Sequence, residues 1–198
     1  MISVIAFDYG GVIEISEKDL LGEIISYLHT TQEEWSTAYF SLNHLCNTGQ
    51  NTWEEVVILT SEKLGASSEN VLFIKELIQK DLVNKILNTE LITYIKTLKP
   101  KYTIALISNY SSKLRLKLEQ QGILDLFDEL AISGEIGFQK PNPEIFYFLC
   151  KKLDILPSNL IFIDDSPKSL EKANTIGYIP ILYKNNKDLF SNLANLLQ

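Results

Sequence analysis

Apolar residues along this chain occur either in short continuous runs or at helical spacing. The short runs, which are typical of buried strands, lie at 2–7, 102–107, 129–132, 160–163 and 178–182. The segments that follow the last four runs repeat apolar residues every three or four positions, which predicts helices, and the helix after the second run is expected to begin at Ser111. Strands and helices that alternate, joined by right-handed crossovers, predict an α/β fold with a doubly wound, mostly parallel, Rossmann-like sheet.

The segment between the first two strands interrupts this alternation. Residues 16–85 show helical periodicity with no clear strand, and capping residues predict four helix starts, at Ser16, Thr31, Thr52 and Ser68. A polar turn at 47–51 separates the second of these helices from the third. We therefore predict a core formed by residues 1–15 and 86–198 and a four-helix insert formed by residues 16–85.

Six polar side chains follow successive predicted strands: Asp8, Ser108, Asn109, Lys140, Asp164 and Asp165. Parallel strands direct their carboxyl ends to one edge, where open α/β sheets bind ligands, so we expect these side chains to meet there. Three carboxylates repel each other unless a cation joins them, and hard oxygen ligands favour Mg²⁺ together with water and substrate phosphate. The lysine adds a second positive charge, which phosphoryl transfer requires.

Each of these residues also has an ordinary structural interpretation. The pairs at 108–109 and 164–165 fit helix caps. Lys140 fits a solvated loop charge, and the two glycines near Asp8 fit a simple tight turn. The recurrence of polar residues at four strand ends favours the functional interpretation over these separate ones.

Composition narrows the range of functions. The chain has 198 residues, of which 45% are hydrophobic, as expected of a folded globular protein. Its net charge of −7 argues against binding to nucleic acid or anionic membranes. No apolar run approaches the ~20 residues needed to span a membrane, and the N-terminal run lacks a basic leader, so we expect no signal peptide. Cys46 and Cys150 lack metal-site spacing and fit reduced thiols in a cytoplasmic protein.

Four stretches resemble the motifs of the haloacid dehalogenase-like hydrolase superfamily. They are residues 7–12, 107–109, 137–146 and 162–167. The third contains a Lys-Pro-x-Pro-x-Ile-Phe run and is the most specific of the four. The helical insert is similar to the family's first type of helical cap (subfamily I, C1 type), and residues 48–49 followed by 52–55 are similar to a turn common in such caps.

The resemblance implies a phosphatase in which Asp8 attacks phosphorus to form an aspartyl-phosphate that water then hydrolyses. It implies that Mg²⁺ is bound by Asp8, Asp165 and the carbonyl of Gly10, with Asp164 in support. Ser108 and Lys140 would act with Asp8 in catalysis. The phosphate group of a small substrate would be held by Gly10, Gly11, Ser108, Asn109 and Lys140. The cap would close over the site and choose the substrate.

Gly10 departs from the family pattern. Family phosphatases usually carry a second aspartate two residues after the nucleophile, which protonates the leaving group and then activates water. The loss of such a group typically costs ~10²–10⁴-fold in rate. Substrates with a good leaving group, such as a sugar-1-phosphate or an acyl phosphate, would need less proton transfer.

Two alternatives to an active phosphatase remain open. The chain fits a weakly active or inactive relative that binds a phosphorylated ligand or a protein partner, and Gly10 is the reason for this hypothesis. A 2-haloacid dehalogenase is less favoured, because that branch typically has a tyrosine two residues after the nucleophile, whereas Tyr9 lies one residue after it. The Asp164–Asp165 pair also favours a metal, which dehalogenation does not need. The sequence leaves monomer or homodimer undecided.

Overall fold

The structure is a computed structural model that describes residues 1–16, 18–47 and 49–197, without the side chain of Val83. Thr48, which belongs to the predicted turn at 47–51 and to the cap-like motif, lies outside the described residues. The chain divides into two compact units. One contains residues 1–15 and 87–198, and the other contains residues 16–86.

The described residues form strands β1 (Val4–Phe7), β2 (Glu14–Ser16), β3 (Lys85–Leu87), β4 (Thr103–Ser108), β5 (Glu129–Ile132), β6 (Leu160–Asp164) and β7 (Ile179–Leu182). Five of them make a parallel sheet in the order β5-β4-β1-β6-β7, and β2 pairs with β3. Strand β1 lies at the centre, with β4 and β5 on one side and β6 and β7 on the other. This order confirms the predicted doubly wound α/β fold.

The described helices are α1 (Leu20–Tyr27), α2 (Gln32–Leu42), α3 (His44–Asn47), α4 (Trp53–Lys63), α5 (Ser68–Asn84), α6 (Thr89–Leu98), α7 (Leu114–Gln120), α8 (Ser133–Ile136), α9 (Pro143–Leu153), α10 (Pro167–Leu170), α11 (Ala173–Ile176) and α12 (Asn186–Leu196). Short 3₁₀ turns occur at Leu124–Leu126 and Pro157–Asn159. Among the described residues, every helix is too short or too polar to cross a lipid bilayer.

Alternate residues of β1 face opposite sides of the sheet, as the two-residue period of a strand requires. Ile5 and Phe7 pack in one apolar cluster with side chains of α6, α7 and α12. Val4 and Ala6 pack in a second cluster with side chains of α9 and α11. Burial on both faces explains why the strand is a continuous apolar run in the sequence.

Helices α1 to α5 make up the second unit, whose apolar core includes Leu20, Ile24, Trp35, Val57, Ile74 and Ile78. The capping boxes expected at Thr31 and Thr52 are both formed, each with a glutamate three residues later. The one-turn helix α3 was not predicted, so the unit contains five described helices rather than four.

Two helix starts differ from the prediction. The first helix of the insert begins at Leu20, because Asp19 accepts a hydrogen bond from the Gly22 N–H and Ser16 is the last residue of β2. Helix α7 begins at Leu114 rather than Ser111. The residues before it form a turn, in which the Leu114 N–H donates to the Ser111 carbonyl at 3.0 Å.

Candidate active site

The order of the strands explains why the polar side chains meet. Strands β4 and β6 flank β1 on its two sides. Asp8 directly follows β1, while Ser108 and Asp164 are the last residues of β4 and β6. The Asp8 N–H donates to the Ile163 carbonyl at 2.9 Å, which continues the ladder to the sheet edge. The carboxyl end of the parallel sheet therefore carries these side chains, as the sequence predicted.

Three carboxylates form a compact cluster at this edge. Asp8, Asp164 and Asp165 each offer an oxygen atom, and these oxygens all lie within 4.8 Å of one another. Asp164 is fully buried and Asp8 is 8% exposed, whereas Asp165 is exposed. Like charges this close are unfavourable without a counter-charge, and hard oxygen donors at this spacing fit a small divalent cation such as Mg²⁺.

Lys140 supplies a counter-charge from within the protein. Its side chain is 2% exposed, and its Nζ atom lies 2.8 Å from Asp8 Oδ1 and 2.6 Å from Asp164 Oδ2. The solvated-loop interpretation of this residue is therefore wrong. Asp164 also has a second partner: its Oδ1 atom accepts a hydrogen bond from the Ser166 N–H at 2.8 Å.

Asn109 positions the loop that carries Lys140. Its side-chain amide donates to the Lys140 carbonyl at 3.0 Å, and its side-chain carbonyl accepts from the Lys140 N–H at 2.7 Å. Both ends of the Asn109 side-chain amide are thus hydrogen-bonded to the backbone of one residue, Lys140. Ser108, the residue before it, is 2% exposed at the end of β4.

The crowding of charges shifts the pKa values of the cluster. Burial raises the pKa of Asp8 to about 7, with Lys140 opposing the shift and Asp164 and Asp165 adding to it. Desolvation by surrounding atoms raises the pKa of Asp165 to about 6, and the charge of Asp164 adds to this effect. For Lys140, burial favours the neutral amine, but the carboxylates of Asp164 and Asp8 outweigh it and raise the pKa. A cation would stabilise the ionised carboxylates and lower their pKa values.

A pH-dependent difference in stability is expected from Asp8. Its pKa is raised from 3.8 to about 7, so the folded protein binds a proton that the unfolded chain has released between these values. The stabilising contribution is present at low pH and is lost as the pH rises through 7, by at most about 1.4 kcal/mol per pH unit. Urea unfolding with a chelator present should show the wild type losing stability relative to Asp8→Asn between pH 5 and 8. A constant difference across that range would contradict the shifted pKa.

The two glycines after the first strand differ in their surroundings. Gly11 has a φ of +76°, and a Cβ atom there would overlap the carboxylate of Asp165. Gly11 is therefore required by both backbone conformation and close approach. Gly10 has no positive φ, and no atom of the described residues lies within 4 Å of a Cβ built on it. A Cβ atom at position 10 thus meets no steric obstacle from the described residues beyond its chain neighbours.

Sequence reasoning missed a group of residues beside Asp8. The Tyr9 N–H donates to Asp8 Oδ1 at 2.7 Å, and the Tyr9 hydroxyl donates to Glu14 Oε1 at 2.8 Å. Lys117 forms an ion pair with Glu14 at 2.8 Å. The position of Tyr9 next to Asp8 in the sequence could have indicated that it contacts the site. Glu14 and Lys117 carried none, because 103 residues separate them and only the folded chain brings them together.

A family model and a curated protein are similar to this chain in sequence. The model of the family described as haloacid dehalogenase-like hydrolase matches residues 2–176. D-ribitol-5-phosphate phosphatase of Bacteroides thetaiotaomicron is 28% identical over 111 residues, which cover 52% of this chain and 54% of that protein. The chain spans about half the length of this curated relative.

Solved structures share the fold. A predicted hydrolase of this family from Porphyromonas gingivalis has a TM-score of 0.66 at 23% identity, covering 100% of this chain and 98% of the other. A family enzyme from Bacteroides thetaiotaomicron, solved with magnesium and inorganic phosphate, has a TM-score of 0.61 at 21% identity, covering 96% of this chain and all of the other. The family model spans most of the sequence, and the chain therefore belongs to the haloacid dehalogenase-like hydrolase family.

Proposed function

We propose that this protein is a Mg²⁺-dependent phosphatase of small phosphorylated metabolites that acts through an aspartyl-phosphate on Asp8. The observation that carries the proposal is the contact of the Asp8 carboxylate with the buried Lys140 ammonium at 2.8 Å, inside the three-carboxylate cluster. The phosphatase name of the curated relative supports it. We place the protein in the cytoplasm, because its two cysteines are buried thiols outside any disulfide.

Asp8 and Asp165 would hold Mg²⁺ with the Gly10 carbonyl, and Asp164 would support them. Asp164 suits a supporting part, because both of its oxygens already accept hydrogen bonds, from Lys140 and Ser166. When bound, Mg²⁺ would supply positive charge opposite the phosphoryl oxygens.

The chain's own groups fit the two steps of phosphate-ester hydrolysis. In the first step a carboxylate oxygen of Asp8 forms a bond to phosphorus while the ester oxygen leaves with its electron pair and takes up a proton. In the second step water attacks phosphorus, inorganic phosphate leaves, and the Asp8 carboxylate is regenerated. Lys140 balances negative charge on the nucleophile and the transferred group. Ser108, Asn109 and the turn at Gly10 and Gly11 would surround the phosphate, and the helical insert would act as the substrate-selecting cap.

Gly10 limits the substrates that suit this site. The leaving group must take up its proton without a carboxylic acid at position 10, so esters of acidic alcohols and acyl phosphates are favoured. A phosphatase screen over sugar phosphates, nucleotides and acyl phosphates, with and without Mg²⁺, tests the proposal. Phosphate release that requires Mg²⁺ supports it. Absence of release from every substrate class would contradict it.

The Gly10→Asp substitution separates this enzyme from the second candidate, a non-catalytic relative that binds a phosphorylated ligand or a protein. A Cβ atom at position 10 meets no obstacle, and the backbone there has no positive φ, so the variant is expected to fold. In an active phosphatase it should speed hydrolysis of alkyl phosphates by up to ~10²–10⁴-fold and change hydrolysis of p-nitrophenyl phosphate little.

Gly10→Asn is the matched control, because it has the same size without a titratable proton. A wild type that is inactive on all substrates and becomes active only as Gly10→Asp would favour the binding protein. A wild type that is active and gains nothing would indicate an enzyme adapted to glycine at this position.

A further inference from the structure

The turn formed by residues 9–14, called here the 9–14 turn, follows Asp8 directly and is closed by its own backbone. The Gly11 N–H donates to the Glu14 carbonyl at 2.8 Å. The N–H groups of Ile13 and Glu14 both donate to the Tyr9 carbonyl, at 2.9 and 2.8 Å. Since the Tyr9 N–H also donates to Asp8 Oδ1, a change in this turn moves atoms that contact the nucleophile.

Side chains connect the 9–14 turn to helix α7. Glu14 Oε1 accepts hydrogen bonds from the Tyr9 hydroxyl at 2.8 Å and from Gln121 Nε2 at 3.1 Å. The Lys117 ammonium lies 2.8 Å from Oε1 and 2.9 Å from Oε2 of the same carboxylate. It also lies 5.2 Å from the centre of the Tyr9 ring, within range of a cation–π contact.

The Glu14 carboxylate depends on these partners. The residue is 8% exposed, and a buried carboxylate is strongly unfavourable unless it is paired and hydrogen-bonded. Lys117 lies on α7, the helix that follows β4, and β4 ends at Ser108. The ion pair therefore joins the loop after β1, which carries Asp8, to the helix that follows the strand ending at Ser108.

We infer that Glu14, through its ion pair with Lys117, is a positioning residue that holds the 9–14 turn, and with it Asp8 and the Gly10 carbonyl, in the conformation needed for phosphoryl transfer. The inference rests on the proposed function for its kinetic consequence. A misplacement of about 1 Å at a reacting group can cost ~10²-fold in rate. Loss of the ion pair should thus lower kcat by about tenfold or more, whereas KM should change less, because Ser108, Asn109 and Lys140 lie outside the turn.

The test uses Glu14→Gln, which keeps the size of the side chain and one acceptor oxygen but removes the charge, together with Lys117→Met and the conservative Lys117→Arg. Two readouts are taken: kcat and KM for p-nitrophenyl phosphate with Mg²⁺, and hydrogen exchange at the amides of the 9–14 turn in metal-free protein. Arg115→Met is the matched control. Arg115 lies two residues from Lys117 on α7, and its 2.9 Å ion pair with Glu135 is separate from the turn.

Glu14→Gln and Lys117→Met are expected to speed exchange at the amides of the turn by about tenfold more than in the rest of the core. Both substitutions should also lower kcat. Lys117→Arg should keep the exchange rates and kcat near their wild-type values. Arg115→Met should change neither. Exchange in the turn that matches the control, or that rises uniformly across the protein, would overturn the inference, as would an unchanged kcat. If the wild type releases no phosphate while exchange in the turn still responds selectively, the proposed function has failed, and the inference is then reduced to the anchoring of the turn.

Discussion

Replacement of Asp8 by asparagine is expected to abolish phosphate release, by at least ~10³-fold, because the variant lacks the nucleophilic carboxylate. Asparagine keeps the shape of the side chain and leaves Lys140 paired with Asp164 at 2.6 Å. The loss should therefore appear in kcat, measured as Mg²⁺-dependent release of phosphate from p-nitrophenyl phosphate. The free energy of unfolding should not fall in this variant, because asparagine replaces a carboxylate whose ionised form is disfavoured by burial.

Asp154→Asn provides the control for this experiment. Asp154 ends α9 with a φ of 52° in the left-handed region, which asparagine also tolerates. The same chemical change is made there in the same unit, and activity is expected to stay at the wild-type level. Phosphate release by Asp8→Asn at the wild-type rate would exclude Asp8 as the nucleophile and with it the proposed mechanism.

The second large effect is expected from Lys140→Met. Methionine fills a similar volume but leaves the buried carboxylates of Asp8 and Asp164 without their shared cation. Removal of one partner of a buried ion pair typically costs ~3–5 kcal/mol of unfolding free energy, and loss of a charge aimed at the transferred group typically costs ~10²–10³-fold in kcat. The loss of stability should be larger at pH 8 than at pH 5, because protonation of Asp8 relieves the unpaired charge at the lower pH.

Lys168→Met is the corresponding change in an exposed pair. Lys168 contacts Glu171 at 2.7 Å with both side chains largely in solvent, and such pairs contribute ~0–1 kcal/mol. Urea unfolding of both variants and of the wild type at the two pH values gives the comparison. Equal stability of the two variants would show that the Lys140 ammonium does not balance the buried carboxylates.

The pattern of the sequence predicted the sheet well. The three inner strands β1, β4 and β6 are continuous apolar runs because they are buried on both faces, and this signal depends only on local composition. The sequence predicted helix starts less well where two possible capping residues lie close together. Ser16 and Asp19 are both acceptable caps, and Ser16 is instead used by β2, whose pairing with the distant β3 no local pattern reveals.

The sequence by itself determined the family, the α/β fold and the residues that end successive strands, because strand order and parallel direction bring those ends to one edge. Only the tertiary structure decided the state of those residues. It buries Lys140 between two carboxylates, and it shows that Gly11 is confined by Asp165 while Gly10 has open space. It also pairs Glu14 with Lys117, 103 residues away. Burial, charge pairing and free space are properties of packed atoms from distant parts of the chain, so they arise only when the whole chain has folded.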